Sequence, residues 1–196
     1  MKTGLSVLHI IMPGSVEAIF RGPSADFNGS NWNMTKLWGP KVAGLVDHDK
    51  IIHLPTANLV EMYGMANGLP LDDPQSGFDK RHPFKNRDPR FYHDIVFDGF
   101  RYVLAEDKLS DAQKPYAYCE LYTGADMRSI DLGSRSGYFF QKLVPHTCNE
   151  GDKEYDWGSN LHTYLPYMRL ADIYLMYAES CAAFGGSSAK SDNCTL

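Results

Sequence analysis

Apolar residues recur along this chain with a changing period, and each change predicts a different element. Leu59, Val60 and Tyr63 fall at helical spacing and define one apolar face. Pro55-Thr56 precedes them, and the Thr56 hydroxyl suits an N-cap because it can accept a backbone N–H of the first turn. Asn67-Gly68, both tolerant of positive φ, predicts the stop. From 91 to 97 the period drops to two. Phe91, His93, Ile95 and Phe97 alternate with Tyr92, Asp94 and Val96, which predicts a strand. Asp98-Gly99 predicts a two-residue hairpin turn, with Phe100, Tyr102 and Leu104 on one face of the return strand. Residues 138 to 144 predict a further strand. The helical period returns from Pro166 to Phe184. One stripe runs through Tyr167, Leu170, Ala171, Tyr174, Ala178 and Cys181, and another through Ile173, Tyr177 and Phe184. Arg169, Asp172 and Glu179 leave only a narrow polar edge, so this helix is predicted to be buried among other helices. The rest of the chain supplies little helix, and the expectation is that those partners lie outside it.

Between these segments periodicity is absent. Residues 21 to 50 are rich in Gly, Asn and Asp, yet Phe27, Trp32, Leu37 and Trp38 predict an ordered loop region, since such side chains suit burial better than disorder. Residues 70 to 90, dense in Asp, Pro, Lys and Arg, predict a second irregular stretch. Gly185-Gly186 predicts the end of the last helix, followed by a polar, mobile tail.

Composition narrows the function classes. The hydrophobic fraction of 43% over 196 residues is that of a globular domain with a real core. The formal net charge of -5, without any Lys/Arg cluster, speaks against a nucleic-acid partner or a polybasic membrane footprint. Cys119, Cys148, Cys181 and Cys194 lack CxxC spacing, no His lies at zinc-finger distance from a pair, and Cys181 reads as a small core residue. No apolar run is long enough for a transmembrane helix. Lys2 followed by Leu5 to Met12 imitates a short signal peptide, but Ser6 and His9 interrupt it and no clean cleavage site follows. No Cys precedes Cys119, so no lipoprotein attachment site is expected near the start of this sequence.

Three segments carry a resemblance to a known family. YLPYMRLADIYLMYAES (164 to 180) resembles the signature helix of SusD/RagB proteins, with Arg169, Leu170, Ala171, Asp172, Ile173, Tyr174, Leu175, Tyr177, Ala178 and Glu179 at the matching positions. PTANLVEMYGMANGLPL (55 to 71) is similar to the family's proline–threonine helix and glycine turn. KNRDPRFYHDIVFDG (85 to 99) is similar to its Asn-Arg-Asp-Pro-Arg-Phe strand entry. Their order and separations also agree. The resemblance implies a mainly α, SusD-like fold in which tetratricopeptide-type helices carry a loop-rich ligand-binding region with a few short strands. It covers the chain as one partial domain: a loop-rich part over 15–160, a repeat-type helix over 164–184 and a flexible tail over 185–196. Family members are far longer, begin with a lipoprotein signal and end with further helices. The resemblance further implies a non-catalytic protein of the outer membrane, surface-exposed and lipid-anchored at full length. Such a protein binds nutrient oligosaccharides and delivers them to a SusC-like TonB-dependent transporter. A peptide-binding member, or a structural remnant without a ligand of its own, are the alternatives.

Glycan recognition rests on aromatic faces that stack on sugar rings and on polar side chains that bond their hydroxyls. Trp32 and Trp38, interleaved with Asn31 and Asn33, and Trp157 followed by Asn160 are the expected ligand-binding residues, on loops 21 to 50 and 145 to 162. A Trp on a loop also serves as that loop's hydrophobic anchor. The family has no fixed binding motif, so no site residue is carried over from it. Arg87, Asp88 and Arg90 read as a turn at Pro89 in which Asp88 ties down one Arg. Asp72, Asp73 and Asp79 lack EF-hand spacing and read as a solvated acidic loop. His48 and His53 show no HExxH pattern. No GxSxG, P-loop, GxGxxG or Cys/His arrangement is present in usable form, so no catalytic residue, metal or cofactor is expected.

Overall fold

The computed structural model describes residues 17–22, 25–27, 53–128, 133–142, 152, 161–163 and 166–185. The chain divides into two units: Met1–Asp26 with His162–Leu196, and Phe27–Leu161.

In the first unit, strand β1 (Ala18–Arg21) pairs antiparallel with a strand at Pro166–Arg169, joining Ala18 to Arg169, Phe20 to Met168 and Arg21 to Pro166. The register shifts twice over this short ladder. The Phe20 and Tyr167 rings lie 5.7 Å apart, and a Cβ at Gly22 would come within 3.2 Å of the Tyr167 ring, so the glycine makes room for it. The chain then turns directly into a helix over Leu170–Gly185. The predicted helix therefore starts four residues late. Pro166, expected in the first helical turn, instead lies in the strand, a position that a Pro tolerates at a sheet edge.

The helix begins where its first N–H groups find acceptors. The Glu17 carbonyl accepts from Leu170 N at 2.8 Å, and Glu17 Oε1 accepts from Ala171 N at 3.4 Å. Asp172 reaches back to accept from Arg169 N at 2.8 Å. That is half of a capping box, and both carboxylates sit at the positive end of the helix dipole. The expected burial is not found among the described residues: Tyr174, Leu175, Met176 and Tyr177 are exposed, and Phe184 is 94% exposed.

The second unit is built around a two-residue ladder. Strand Ile95–Val96 pairs antiparallel with Phe139–Phe140, joining Ile95 to Phe140 and Val96 to Phe139. Successive strand side chains point to opposite faces, so this small ladder serves two cores. Val96 and Phe139 enter a cluster with Tyr102, Val103, Leu109, Ala117, Cys119, Leu121 and Met127. Ile95 enters a cluster with Val60 and Phe91, against which Phe140 packs with Tyr63, Phe84, Tyr92, Phe97 and Tyr138. Phe91, Ile95, Val96, Val103 and Phe139 are fully buried.

The first helix of this unit, Ala57–Glu61, carries the expected N-cap: Thr56 Oγ1 accepts from Leu59 N at 3.2 Å. It ends at Met62, before Asn67-Gly68. That pair instead makes a turn of its own, with Gly68 at φ 84° and Asn67 Oδ1 accepting from Leu69 N.

The predicted strand over 91 to 97 is mostly helix. Pro89–Asp94 is helical and only Ile95–Val96 is extended. Asp88 caps the helix by accepting from Arg90 N at 2.8 Å, and Pro89 sits where a missing N–H leaves no bond unmade. Phe91 and Ile95 are four residues apart, a spacing that satisfies helical and alternating patterns alike, and the cap decides between them.

The Asp98-Gly99 turn is present. Phe100 N donates to the Phe97 carbonyl, and Gly99 has φ 79°. The return segment does not pair back onto the first strand. Gly99 N and Tyr102 N donate to the carbonyls of Cys119 and Ala117, Cys119 N donates to that of Phe100, and Arg101 bridges Tyr118. The alternation expected through Phe100, Tyr102 and Leu104 breaks down, since Tyr102 and Val103 are both buried and Leu104 is 51% exposed. Of the strand expected over 138 to 144, Phe139–Phe140 is extended, and 143 and 144 lie outside the described residues.

Candidate functional site

All six expected ligand-binding residues, Trp32, Trp38, Trp157, Asn31, Asn33 and Asn160, lie outside the described residues. What is described is how the segments bearing them are rooted. Strand Ala25–Phe27 runs into the first loop and strand Leu161–Thr163 leaves the second, and the two strands pair.

Asp152, the described residue within 145 to 160, is firmly bonded. Its carboxylate is buried and accepts from Leu104 N at 2.9 Å and Ala105 N at 2.6 Å, while its carbonyl accepts from Lys108 Nζ at 3.3 Å. Two backbone donors of the 104–108 turn are thereby satisfied by a residue more than forty positions away, five residues before Trp157.

The basic residues near Pro89 have separate tasks. Asp88 binds the exposed Arg90 guanidinium through both carboxylate oxygens, and this partner holds its carboxyl below the usual range. Arg87 is 3% exposed. It donates to the carbonyls of Val60 (2.8 Å), Tyr63 (2.6 Å), Gly64 (3.3 Å) and Pro83 (3.0 Å). Its guanidinium also lies 4.6 Å from the Phe91 ring centre. An arginine so engaged organises the end of the first helix and offers nothing to a ligand. Tyr63 donates to Asp94 at 2.8 Å; burial, reinforced by that carboxylate, raises its pKa well above the ordinary tyrosine value and keeps it a neutral donor.

The acidic loop is taken up by turns. Asp73 Oδ1 accepts from Gln75 N and Asp79 Oδ1 from Arg81 N, with Asp79 also bonded to His82. Among the described residues no group of three His, Cys, Asp or Glu is gathered as a metal ion would require. Cys119 and Cys181 are free thiols, and burial pushes the Cys119 thiol far up, so it is unreactive.

One feature went unpredicted. Residues 116 to 122 alternate strictly: Ala117, Cys119 and Leu121 are buried, while Tyr116, Tyr118, Glu120 and Tyr122 are exposed. The sequence YAYCELY carries this period-two signal openly. The signal directly follows Pro115, and its first two residues, Tyr116 and Ala117, belong to the 3-10 turn Lys114–Ala117.

A family model described as the SusD family matches residues 17–194. The chain belongs to the SusD family. Its fold is similar to that in a crystal structure of a SusD-like protein from Bacteroides fragilis, with a TM-score of 0.63 and 21% sequence identity over 94% of this chain. This SusD-family chain spans 36% of the length of that protein. No curated protein sequence matches it. The expected loop-rich region with a few short strands is present among the described residues, within a SusD-like fold.

Proposed function

We propose that this chain is the ligand-binding part of a cell-surface protein that captures nutrient oligosaccharides and passes them to a SusC-like TonB-dependent outer-membrane transporter, without catalysing any reaction. The observation that carries this reading is the family match over residues 17–194, since SusD-family members are surface binding proteins. Trp32, Trp38 and Trp157 supply stacking faces, and Asn31, Asn33 and Asn160 bond sugar hydroxyls. The pairing of Ala25–Phe27 with Leu161–Thr163 supports the joint use of the two loops. In this reading residues 15–160 form the binding part, the helix at Leu170–Gly185 is of tetratricopeptide type, and 185–196 is a tail. The exposed Leu175, Met176 and Phe184 then pack against neighbouring repeat helices of a longer, lipid-anchored protein.

The test is oligosaccharide binding by the full-length protein and by its Trp32→Ala, Trp38→Ala and Trp157→Ala variants. Loss of affinity in at least one is expected. Unchanged affinity in all three overturns the site assignment. Release of reducing sugar, abolished by a single carboxylate substitution, overturns the non-catalytic reading.

A further inference from the structure

The sequence contains two Asn-Gly pairs, Asn28-Gly29 and Asn67-Gly68, and the second lies among the described residues. Such a pair carries a chemistry of its own. The glycine nitrogen can attack the side-chain amide carbon of the asparagine, and it approaches freely because glycine has no Cβ to stand in the way. This chemistry is independent of any ligand, so the inference stands apart from the function proposed above.

Asn67 and Gly68 are both exposed. Water and solvent base therefore reach them, and burial does not hold the reaction off. Hydrogen bonds do. The nucleophile is engaged, since Gly68 N donates to the Met65 carbonyl at 2.9 Å. Both ends of the side-chain amide are engaged too. Asn67 Oδ1 accepts from Leu69 N at 3.1 Å, and Nδ2, the leaving nitrogen, donates to the Ser76 carbonyl at 3.2 Å. The turn is closed a second time by Met65 N, which donates to the Leu69 carbonyl at 2.9 Å. Its base is fixed on the segment beside it: Met65 is buried and bridges Arg87, and Ala66 N donates to the Asn86 carbonyl at 2.9 Å. Ser76 is buried as well, its hydroxyl donating to the Leu71 carbonyl and accepting from Phe78 N. Turning the amide carbon toward Gly68 N breaks the two side-chain bonds, and freeing that nitrogen breaks a third.

We propose that Asn67-Gly68 is a latent deamidation site, held off by the native turn over 65–69 and released by local opening of that turn. In the open turn Gly68 N loses its proton to solvent base and bonds Asn67 Cγ. The Cγ–Nδ2 bond breaks, ammonia leaves with a proton taken from solvent, and a five-membered succinimide closes. One water then opens the ring. Addition at Cγ gives aspartate, and addition at the main-chain carbonyl carbon gives isoaspartate. One water is consumed and one ammonia released, and nothing is oxidised or reduced. Either product lacks the Nδ2 donor and sets a carboxylate oxygen against the Ser76 carbonyl. Isoaspartate also adds a methylene carbon to the main chain between Met65 and Leu69, so the two closing bonds lose their register. The product turn is looser than the one it replaces, and refolding does not restore it.

The experiment incubates the full-length protein at mildly alkaline pH, native in one arm and unfolded in guanidinium chloride in the other. Mass spectrometry of proteolytic peptides measures aspartate and isoaspartate formed at Asn67 and at Asn28. The unfolded chain is expected to convert both pairs at similar rates. The native protein is expected to convert Asn67 at least about tenfold more slowly than the unfolded chain does, because the reactive state must first be reached by local opening. In the variant Asn67→Asp, which reproduces one product, amide exchange at Gly68 is expected to be several-fold faster than in wild type. Equal rates at Asn67 in the two arms overturn the proposal, since the turn then gives no protection. An unfolded chain that leaves Asn67 intact overturns it too. Unchanged exchange at Gly68 in Asn67→Asp overturns the part assigned to the bond with Ser76.

Discussion

Replacing Arg87 with alanine removes four hydrogen bonds at once, and the consequence can be worked bond by bond. Of its four acceptors, the Val60 carbonyl keeps a donor in Tyr63 N (3.3 Å) and the Gly64 carbonyl keeps Asp88 N (2.9 Å). The Tyr63 and Pro83 carbonyls keep none among the described residues. Both carbonyls are partly buried, so each costs about 1 kcal/mol, the low end for an unsatisfied acceptor. Loss of the guanidinium from the Phe91 face adds about 1 kcal/mol. Against these stands the penalty of burying the charge, whose effect is visible in the lowered pKa of Arg87. The net expectation is a destabilisation of about 3–5 kcal/mol, in the range of substitutions that break a buried hydrogen-bond network. Urea denaturation followed by tyrosine and tryptophan fluorescence is the assay. With a slope of about 2 kcal/mol per molar, the midpoint falls by about 2 M. Such a loss is a large share of ordinary domain stability, so the alanine variant fails to accumulate if the starting stability is low. Arg87→Lys then serves in its place. It keeps the charge but cannot span four carbonyls, and an intermediate loss of about 2 kcal/mol is expected. A midpoint within about 0.3 M of wild type for Arg87→Ala would show that the guanidinium does not organise the first helix, and would refute the reasoning.

Two further outcomes are expected. Asp152→Ala leaves Leu104 N and Ala105 N without their carboxylate acceptor and costs about 1–3 kcal/mol, with faster amide exchange at 104 and 105; unchanged exchange there would count against the latch. Asp88, whose carboxyl is held down first by its bond to Arg90, contributes stability that is complete above the unfolded pKa of about 3.9 and is lost as pH falls through the lower folded value. Wild type should therefore be more stable than Asp88→Asn at pH 6, and the gap should close under strong acid; a gap independent of pH rules the ion pair out as its source.

Much of this protein was determined by local sequence chemistry. Thr56 caps the helix it was expected to cap, since an N-cap needs only its own hydroxyl and an N–H three residues on. Gly99 takes the positive φ that an Asp-Gly turn requires. Three motifs in order were enough to point to the family that the whole-chain match bears out. What the sequence did not decide were choices between patterns of similar local merit. Phe91 and Ile95 fit a strand or a helix, and only the Asp88 cap and the aromatic cluster around Phe91 make the first half helical. Pro166 fits a first helical turn, but pairing with Ala18–Arg21 draws it into a strand, and Glu17, 153 residues away, defines where the helix starts. The return from Gly99 pairs with 117–119 rather than with 95–96, because Val96 finds its partner in Phe139. The same pairing turns Tyr116, Tyr118 and Tyr122 outward. Their alternation is written in the sequence, but the face that meets water is set by long-range contacts of the core, and these exist only once the chain has folded.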